Sequence, residues 1–293
     1  MKFDLKTNKD HKKILSVKPA GLPAKPKSFS ELQKQNFFLL KKLKAAALIL
    51  LFFTVYRISA SVAGLKSLSV ILKLPSGFAW LFKNFIPNSE SIIYLPVILK
   101  SFGQTCAIAA SATTAAGLLA FICAVFGAET TGVNRFFKTA LTLSASFFRN
   151  IPLVAWALLL LFSFKQNNFT GFAALSIVTF GHLLRAFKEM IDETSSQSFE
   201  ALRALGAPYI SAVFQSVLPN AAPGLVSWLL YTVENNVRDS ALIGILTGTG
   251  IGFLFNLYFK SFRYDGAGLI IFVLAFSVLF IDTVSNKVRK GLL

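Results

Sequence analysis

The sequence predicts an all-α integral membrane protein of about six transmembrane helices, on three observations. Of its 293 residues, 54% are hydrophobic and only 15% charged, with 31 Phe, which is more apolar surface than a soluble core of this length can bury. The apolar residues collect in runs long enough to cross a hydrocarbon layer about 30 Å thick. Lys and Arg gather on one side of those runs. The net charge of +17 does not point to nucleic acid, because the cations form no continuous face. Twelve of the 30 fall before Ala45, in a stretch that also carries Pro19, Pro23 and Pro26.

Residues 1–44 read as a disordered, basic, cytoplasmic tail held near anionic lipid by its lysines. No apolar core follows within the first thirty residues, so the tail does not read as a cleavable signal peptide. Ala45 to Leu65 forms the first span, and its 21 residues give roughly 31 Å. Arg57 within it snorkels toward the far interface. From Lys66 to Lys100 short apolar runs are broken by Pro75, Pro87 and Pro96, which predicts an interfacial segment outside the membrane. Residues 45–99 thus hold one span and an external segment.

Gln104 to Phe126 is the second span, and its small residues, Ala107 to Gly117, predict close packing against neighbours. Phe136 to Phe164 is apolar on both sides of Arg149-Asn150-Ile151-Pro152. Each half is roughly 20 Å, too short to cross alone, so one broken span is predicted with Arg149 facing protein or water. Phe169 to Leu184 is the fourth span, Pro223 to about Leu246 the fifth, and Ala267 to Val284 the sixth. Gly244, Gly248, Gly250 and Gly252 follow the fifth span's polar centre and are expected to bend the backbone or line a cavity.

Six spans place both termini on one side. With the tail inside, inner segments hold twenty Lys and Arg against seven outside, so N and C termini are expected in the cytoplasm. The loop at about 190–220 is then cytoplasmic too. Phe199 to Phe214 reads as one short amphipathic helix. Gly206 in its middle costs about 1 kcal/mol against Ala, which calls for a sharp bend or the close approach of another backbone. Pro219 sets the start of the fifth span.

Chemistry-bearing residues are sparse. Cys106 and Cys123 lie roughly 25 Å apart on one helix and cannot pair. His11 and His182 are isolated, no metal spacing occurs, and no set of groups converges as an enzyme would need. Within the fifth span, Glu234 and Arg238 lie four apart in the order that favours an ion pair. Mutual neutralisation and a role in solute passage are both open for them.

Glu200-Ala201, Gly206 six positions after the Glu, and Leu218-Pro219 twelve beyond the Gly resemble the cytoplasmic signature loop of permease subunits of binding-protein-dependent ABC importers. Leu202 stands in place of the usual second Ala, and Ser216 in place of Ile or Val. Glu-Ala-Leu-Arg-Ala-Leu-Gly-Ala at 200–207 and Glu-Asn-Asn-Val-Arg-Asp-Ser-Ala-Leu-Ile-Gly at 234–244 are similar to the phosphonate-type branch. The resemblance covers about residues 100–293. It implies the type I importer permease architecture, in the bacterial cytoplasmic membrane. It also implies a coupling loop, Glu200, Ala201, Leu202, Arg203, Gly206, Leu218 and Pro219, seated in a separate ATP-binding cassette subunit. A second permease chain, identical or paralogous, and an extracytoplasmic solute-binding protein complete the expected partners. The chain carries no Gly-x-x-x-x-Gly-Lys-Ser/Thr phosphate loop, so it is not expected to be an enzyme or to hold a cofactor; ATP and Mg belong to the partner. The implied solute is phosphonate or a related phosphorus oxyanion. For such anions Arg149, Glu234 and Arg238 are the candidate translocation path. Another anion, an amino acid or a vitamin carried by the same class of importer is the alternative, and a passive channel a remote one.

Overall fold

The computed structural model describes residues 29–64 and 67–292. Residues 1–28 of the basic tail lie outside the described residues. Two compact units divide the chain, Met1–Pro75 and Ser76–Leu293. Helix α1 (Phe29–Val62) belongs to the first. It starts sixteen residues before the predicted span, so the tail expected to be disordered is helical from Phe29 onward. Glu31, Leu32, Gln33, Lys34 and Gln35 are good helix formers and no proline follows Pro26 in this stretch. Leu40–Val62, 23 residues, is long and apolar enough to cross a membrane.

Helix α2 (Ser67–Phe85) contains Pro75. Among the described residues α2 is not one of the helices long and apolar enough to cross a membrane, and its one proline removes one donor without ending the helix. A 3-10 turn, Ser91–Tyr94, leads into α3 (Leu95–Gly127). This span opens nine residues before the predicted Gln104, because Pro96 occupies a first-turn position, where its missing N–H costs nothing.

Helix α3 is the centre of the larger unit, packing along α6 (Asn168–Ala204) and α8 (Leu218–Thr247). The buried face of α3 is made of small residues: Ala109, Ala112, Thr113, Ala116, Gly117, Ala120 and Ala124. A Cβ on Gly117 would come within 2.6 Å of Leu229 on α8. Close backbone approach is thus what the small residues supply, as predicted.

The third span breaks where the sequence placed the break. Helices α4 (Arg135–Asn150) and α5 (Leu153–Phe164) meet at 88°. Ile151, which precedes Pro152, is extended at φ −84, ψ 124, as the proline ring demands. The indole Nε1 of Trp156 donates to the Phe148 carbonyl at 3.3 Å, satisfying one acceptor freed by the break. Gly181 of α6 lies under the junction, where a Cβ would stand 2.9 Å from the Arg149 backbone nitrogen.

Helix α8 ends at Gly248, left-handed at φ 69. Helix α9 (Gly250–Lys260) then leaves at 53°. A side chain on Gly252 would run into the Ala241 carbonyl oxygen, and one on Gly244 into that of Thr249. These glycines let α9 fold back against α8. Helix α10 (Tyr264–Leu292) closes the chain, its start gripped by Trp80 and Phe85 on Tyr264, with ring centroids 5.2 and 5.5 Å apart. Among the described residues, four helices are long and apolar enough to cross a membrane, and six spans result when each bent pair counts once.

Candidate functional site

The first element of the site is an overhang. Helix α6 runs unbroken for 37 residues, about 55 Å at helical rise, against about 30 Å of hydrocarbon. The predicted end of the fourth span at Leu184 is therefore passed by twenty residues. The excess is polar, with Asp192, Glu193, Thr194, Ser195, Ser196, Gln197, Ser198 and Glu200 in nine positions. Asp192 anchors its base: its carboxylate accepts from the backbone N–H of Thr130 at 2.9 Å and of Glu129 at 3.1 Å.

The overhang ends in a glycine turn. The N–H of Ala207 donates to the Leu202 carbonyl, and that of Gly206 to Arg203, both at 3.1 Å. This pair of bonds, around Gly206 at φ 85, is a Schellman motif. Pro208, which lacks a donor, caps α7 (Tyr209–Ala212). A π turn, Val213–Val217, carries it into α8. The single helix predicted over Phe199–Phe214 is thus two helices with a reversal at Gly206. No atom of this chain lies within 4 Å of a Cβ built there, so within the chain it is the bend that requires the glycine.

The two arms are tied below the turn. Ser198 and Ser216 hydroxyls lie 2.7 Å apart and Asn220 Nδ2 donates to Ser198 at 2.8 Å. Ser216, unusual for the resembling motif, is buried and hydrogen-bonded to its neighbour across the hairpin. Phe199 and Tyr209 pack edge to face at 6.0 Å. Leu202 joins this core. The tip stays bare: Leu205 is 85% exposed, Ile210 69% and Phe214 64%. Glu200, Ala201, Arg203, Leu218 and Pro219 are also exposed, Arg203 Nη1 donating to the Ala207 carbonyl at 2.8 Å. Bare Leu, Ile and Phe at the end of a polar rod form a surface suited to another protein.

The second element is a cavity of about 260 Å³ between the start of α5, α6 and α8. One stripe of α8 faces it, Trp228, Tyr231, Thr232, Asn235 and Asp239, with His182 and Thr179 from α6 opposite. Asn236, buried beside it, donates to Thr113 at 2.8 Å and to Thr179 at 2.9 Å. It therefore joins α3, α6 and α8 through side chains alone.

Of the three predicted path residues, the cavity lining includes none. Glu234 is buried and pairs with Arg238, while Arg289 of α10 approaches its other oxygen at 3.8 Å. The ion-pair reading of Glu234 therefore holds geometrically. Arg238 also donates to Asn235 Oδ1 at 2.8 Å. Arg149 closes α4 at the break, half-buried, with no carboxylate in ion-pair range among the described residues. The cavity residues not put forward as path candidates were His182, Asn235, Asn236 and Asp239, though 234–239 stood out as the polar centre of the fifth span. A signal for the stripe existed: polar side chains at 228, 231, 232, 235 and 239 recur every three or four positions within an apolar span. No signal pointed to Thr113 or Thr179 as partners of Asn236.

A bundle of spans with a polar internal cavity and a long hairpin carrying a bare apolar tip has the form of a membrane transport subunit. Residues 116–290 match the family described as the binding-protein-dependent transport system inner membrane component, and the chain belongs to that family. It is similar to the phosphate-import permease PhnE of Mycolicibacterium smegmatis, 29% identical over 144 residues, 49% of this chain and 27% of that protein. It is also similar to the putative phosphite transport system permease HtxE of Stutzerimonas stutzeri, 27% identical over 164 residues, 56% of this chain and 63% of that protein. The matched stretch therefore spans less than two thirds of either relative. In fold it resembles a chain of the MetNI methionine ABC transporter in an inward-facing conformation, with a TM-score of 0.61 at 18% identity, covering 70% of this chain and 100% of that one. It is a multi-pass protein of the cytoplasmic membrane.

Proposed function

We propose that this chain is the permease of an ATP-driven importer for phosphonate or a related phosphorus oxyanion, and that the hairpin tip around Gly206 is the seat of a partner ATPase. The observation that carries the coupling role is the bare Leu205, Ile210 and Phe214 surface at the end of an overhang about 25 Å long. Phosphate and phosphite in the names of relatives support the solute class. Both termini and the hairpin face the cytoplasm in this reading, on the side where Lys and Arg concentrate.

The chain itself performs no hydrolysis; ATP and Mg are bound by the ATPase subunits. Their approach on binding ATP moves the two hairpins of a permease pair, and α6 and α8 open the cavity toward a loaded extracytoplasmic binding protein. Hydrolysis reverses the movement and the solute leaves inside. Selectivity rests mainly with the binding protein, so the cavity needs only to lower the cost of passing an anion through the membrane. The test is reconstitution with the co-purifying ATPase and binding protein in vesicles. Uptake of phosphite, methylphosphonate or phosphate that requires ATP and all three components is expected, and uptake without the ATPase would make the chain a channel.

A further inference from the structure

We propose that Asn235 is the residue of the cavity that contacts the passing oxyanion, through its side-chain NH2, and that Arg238 is a positioning residue acting through it. The inference rests on the oxyanion reading above. A guanidinium has donors only, so the 2.8 Å contact from Arg238 Nη1 fixes which end of the Asn235 amide it meets. The carbonyl oxygen is taken, and the two N–H donors are left for the cavity that Asn235 lines.

Arg238 is itself held. Glu234, with a side chain only 8% exposed, pairs with it, and Arg289 approaches the second Glu234 oxygen at 3.8 Å. The order Arg289, Glu234, Arg238, Asn235 runs from α10 across α8 and ends at the cavity. Along it the single Glu234 carboxylate offsets part of the charge of two guanidiniums before the cavity is reached, and the Asn235 amide that lines the cavity is polarised from behind.

That arrangement suits transit better than capture. A transit site must bind well enough to admit the ion and weakly enough to release it. A bare guanidinium would form paired, charge-assisted bonds with a phosphorus oxyanion, which are roughly twice as strong as neutral ones. Asp239 lies one turn beyond Asn235 on the same stripe, which keeps the cavity from holding a dianion tightly. His182 on the opposite wall, and Trp228 and Tyr231 on the same stripe, also line the cavity with groups able to donate.

The test uses the full complex in vesicles, with phosphite and methylphosphonate as probes. Wild-type uptake of either probe checks the solute reading by itself. Against that baseline, Asn235→Ala should lower the maximal uptake rate about tenfold, the loss of one neutral hydrogen bond, with ATPase activity and membrane insertion kept. Asn235→Ser, which keeps a donor, should recover part of the rate. Arg238→Gln should also slow uptake in the wild-type background and add little when Asn235 is already Ala, because interacting sites are not additive. As a measurement independent of turnover, Asn235→Cys in a chain carrying Cys106→Ala and Cys123→Ala should react with an anionic methanethiosulfonate, more slowly in the presence of phosphite. Wild-type rates in Asn235→Ala, full additivity with Arg238→Gln, or an unreactive Cys at 235 would each overturn the assignment. A wild type that moves none of phosphite, methylphosphonate and phosphate overturns the oxyanion reading and this inference with it.

Discussion

Gly206 and Gly252 are both glycines for a reason, and the reasons are opposite. Gly206 sits at φ 85 with nothing within 4 Å of a Cβ built on it. A side chain there costs the left-handed penalty, roughly 1–2 kcal/mol, and meets no other atom of this chain. Gly206→Trp is therefore expected to insert and fold, and any loss must come from a surface outside the chain. Uptake uncoupled from ATP hydrolysis is the expected outcome in reconstituted vesicles; normal coupled uptake would remove the tip from the coupling role. Asn236 is a different case, a buried amide whose NH2 satisfies two threonines on two other helices. Asn236→Ala should lower detergent stability by about 1–2 kcal/mol, read as a drop in thermal midpoint. An unchanged midpoint would mean that the three-helix junction gains nothing from the amide.

At the scale of elements, the junctions carry more information than the spans. Gly252→Ala would drive a methyl into the Ala241 carbonyl, and the fold-back of α9 leaves it no room. The expected result is loss of folded protein, measured by fluorescence-detected size exclusion, while Gly103→Ala, with open space around it, should match the wild type. The broken third span was legible because proline restricts both itself and its predecessor, so Asn150-Ile151-Pro152 could only end one helix and start another. The hairpin was legible in place and not in form. Glu200 to Ala204 reads as good helix, and it is helix, but as the end of a 37-residue α6 that stops short of Gly206. Nothing in Arg185 or Lys188 could show that the rod continues past the hydrocarbon, since polar residues suit a helix in water as well as a loop. Within the 66–100 stretch, read as interfacial, the prolines hid how far helix extends, because proline weakens a helix locally without deciding whether flanking residues continue it.

For the whole molecule, the count of six spans follows from composition, whereas the assignment of residues to the cavity does not. Hydropathy records how apolar a span is, and the facing of Asn235 or His182 depends on how α5, α6 and α8 rotate against one another. That is why Glu234 and Arg238, the most polar pair by sequence, lie within ion-pair distance of each other and outside the cavity lining. The orientation can be checked directly. Alkaline phosphatase joined in the 165–167 turn should be active, and a fluorescent protein joined after Leu293 should glow, each reporting its own side of the membrane. A glowing fusion in the 165–167 turn would invert the topology.

The length of α6 has a mechanical side. His182 and the residues at the turn are on one rod with no proline or glycine between 182 and 205, a lever arm of about 34 Å at helical rise. Tilting such an arm by about 5° about the Gly181 contact would carry its end roughly 3 Å, about two residues' worth of helical rise. The same tilt leaves His182 almost still. If the proposed coupling holds, such a helix would act as a gear with a high ratio: large strokes at the tip where the ATPase would sit, and fine adjustment at the cavity.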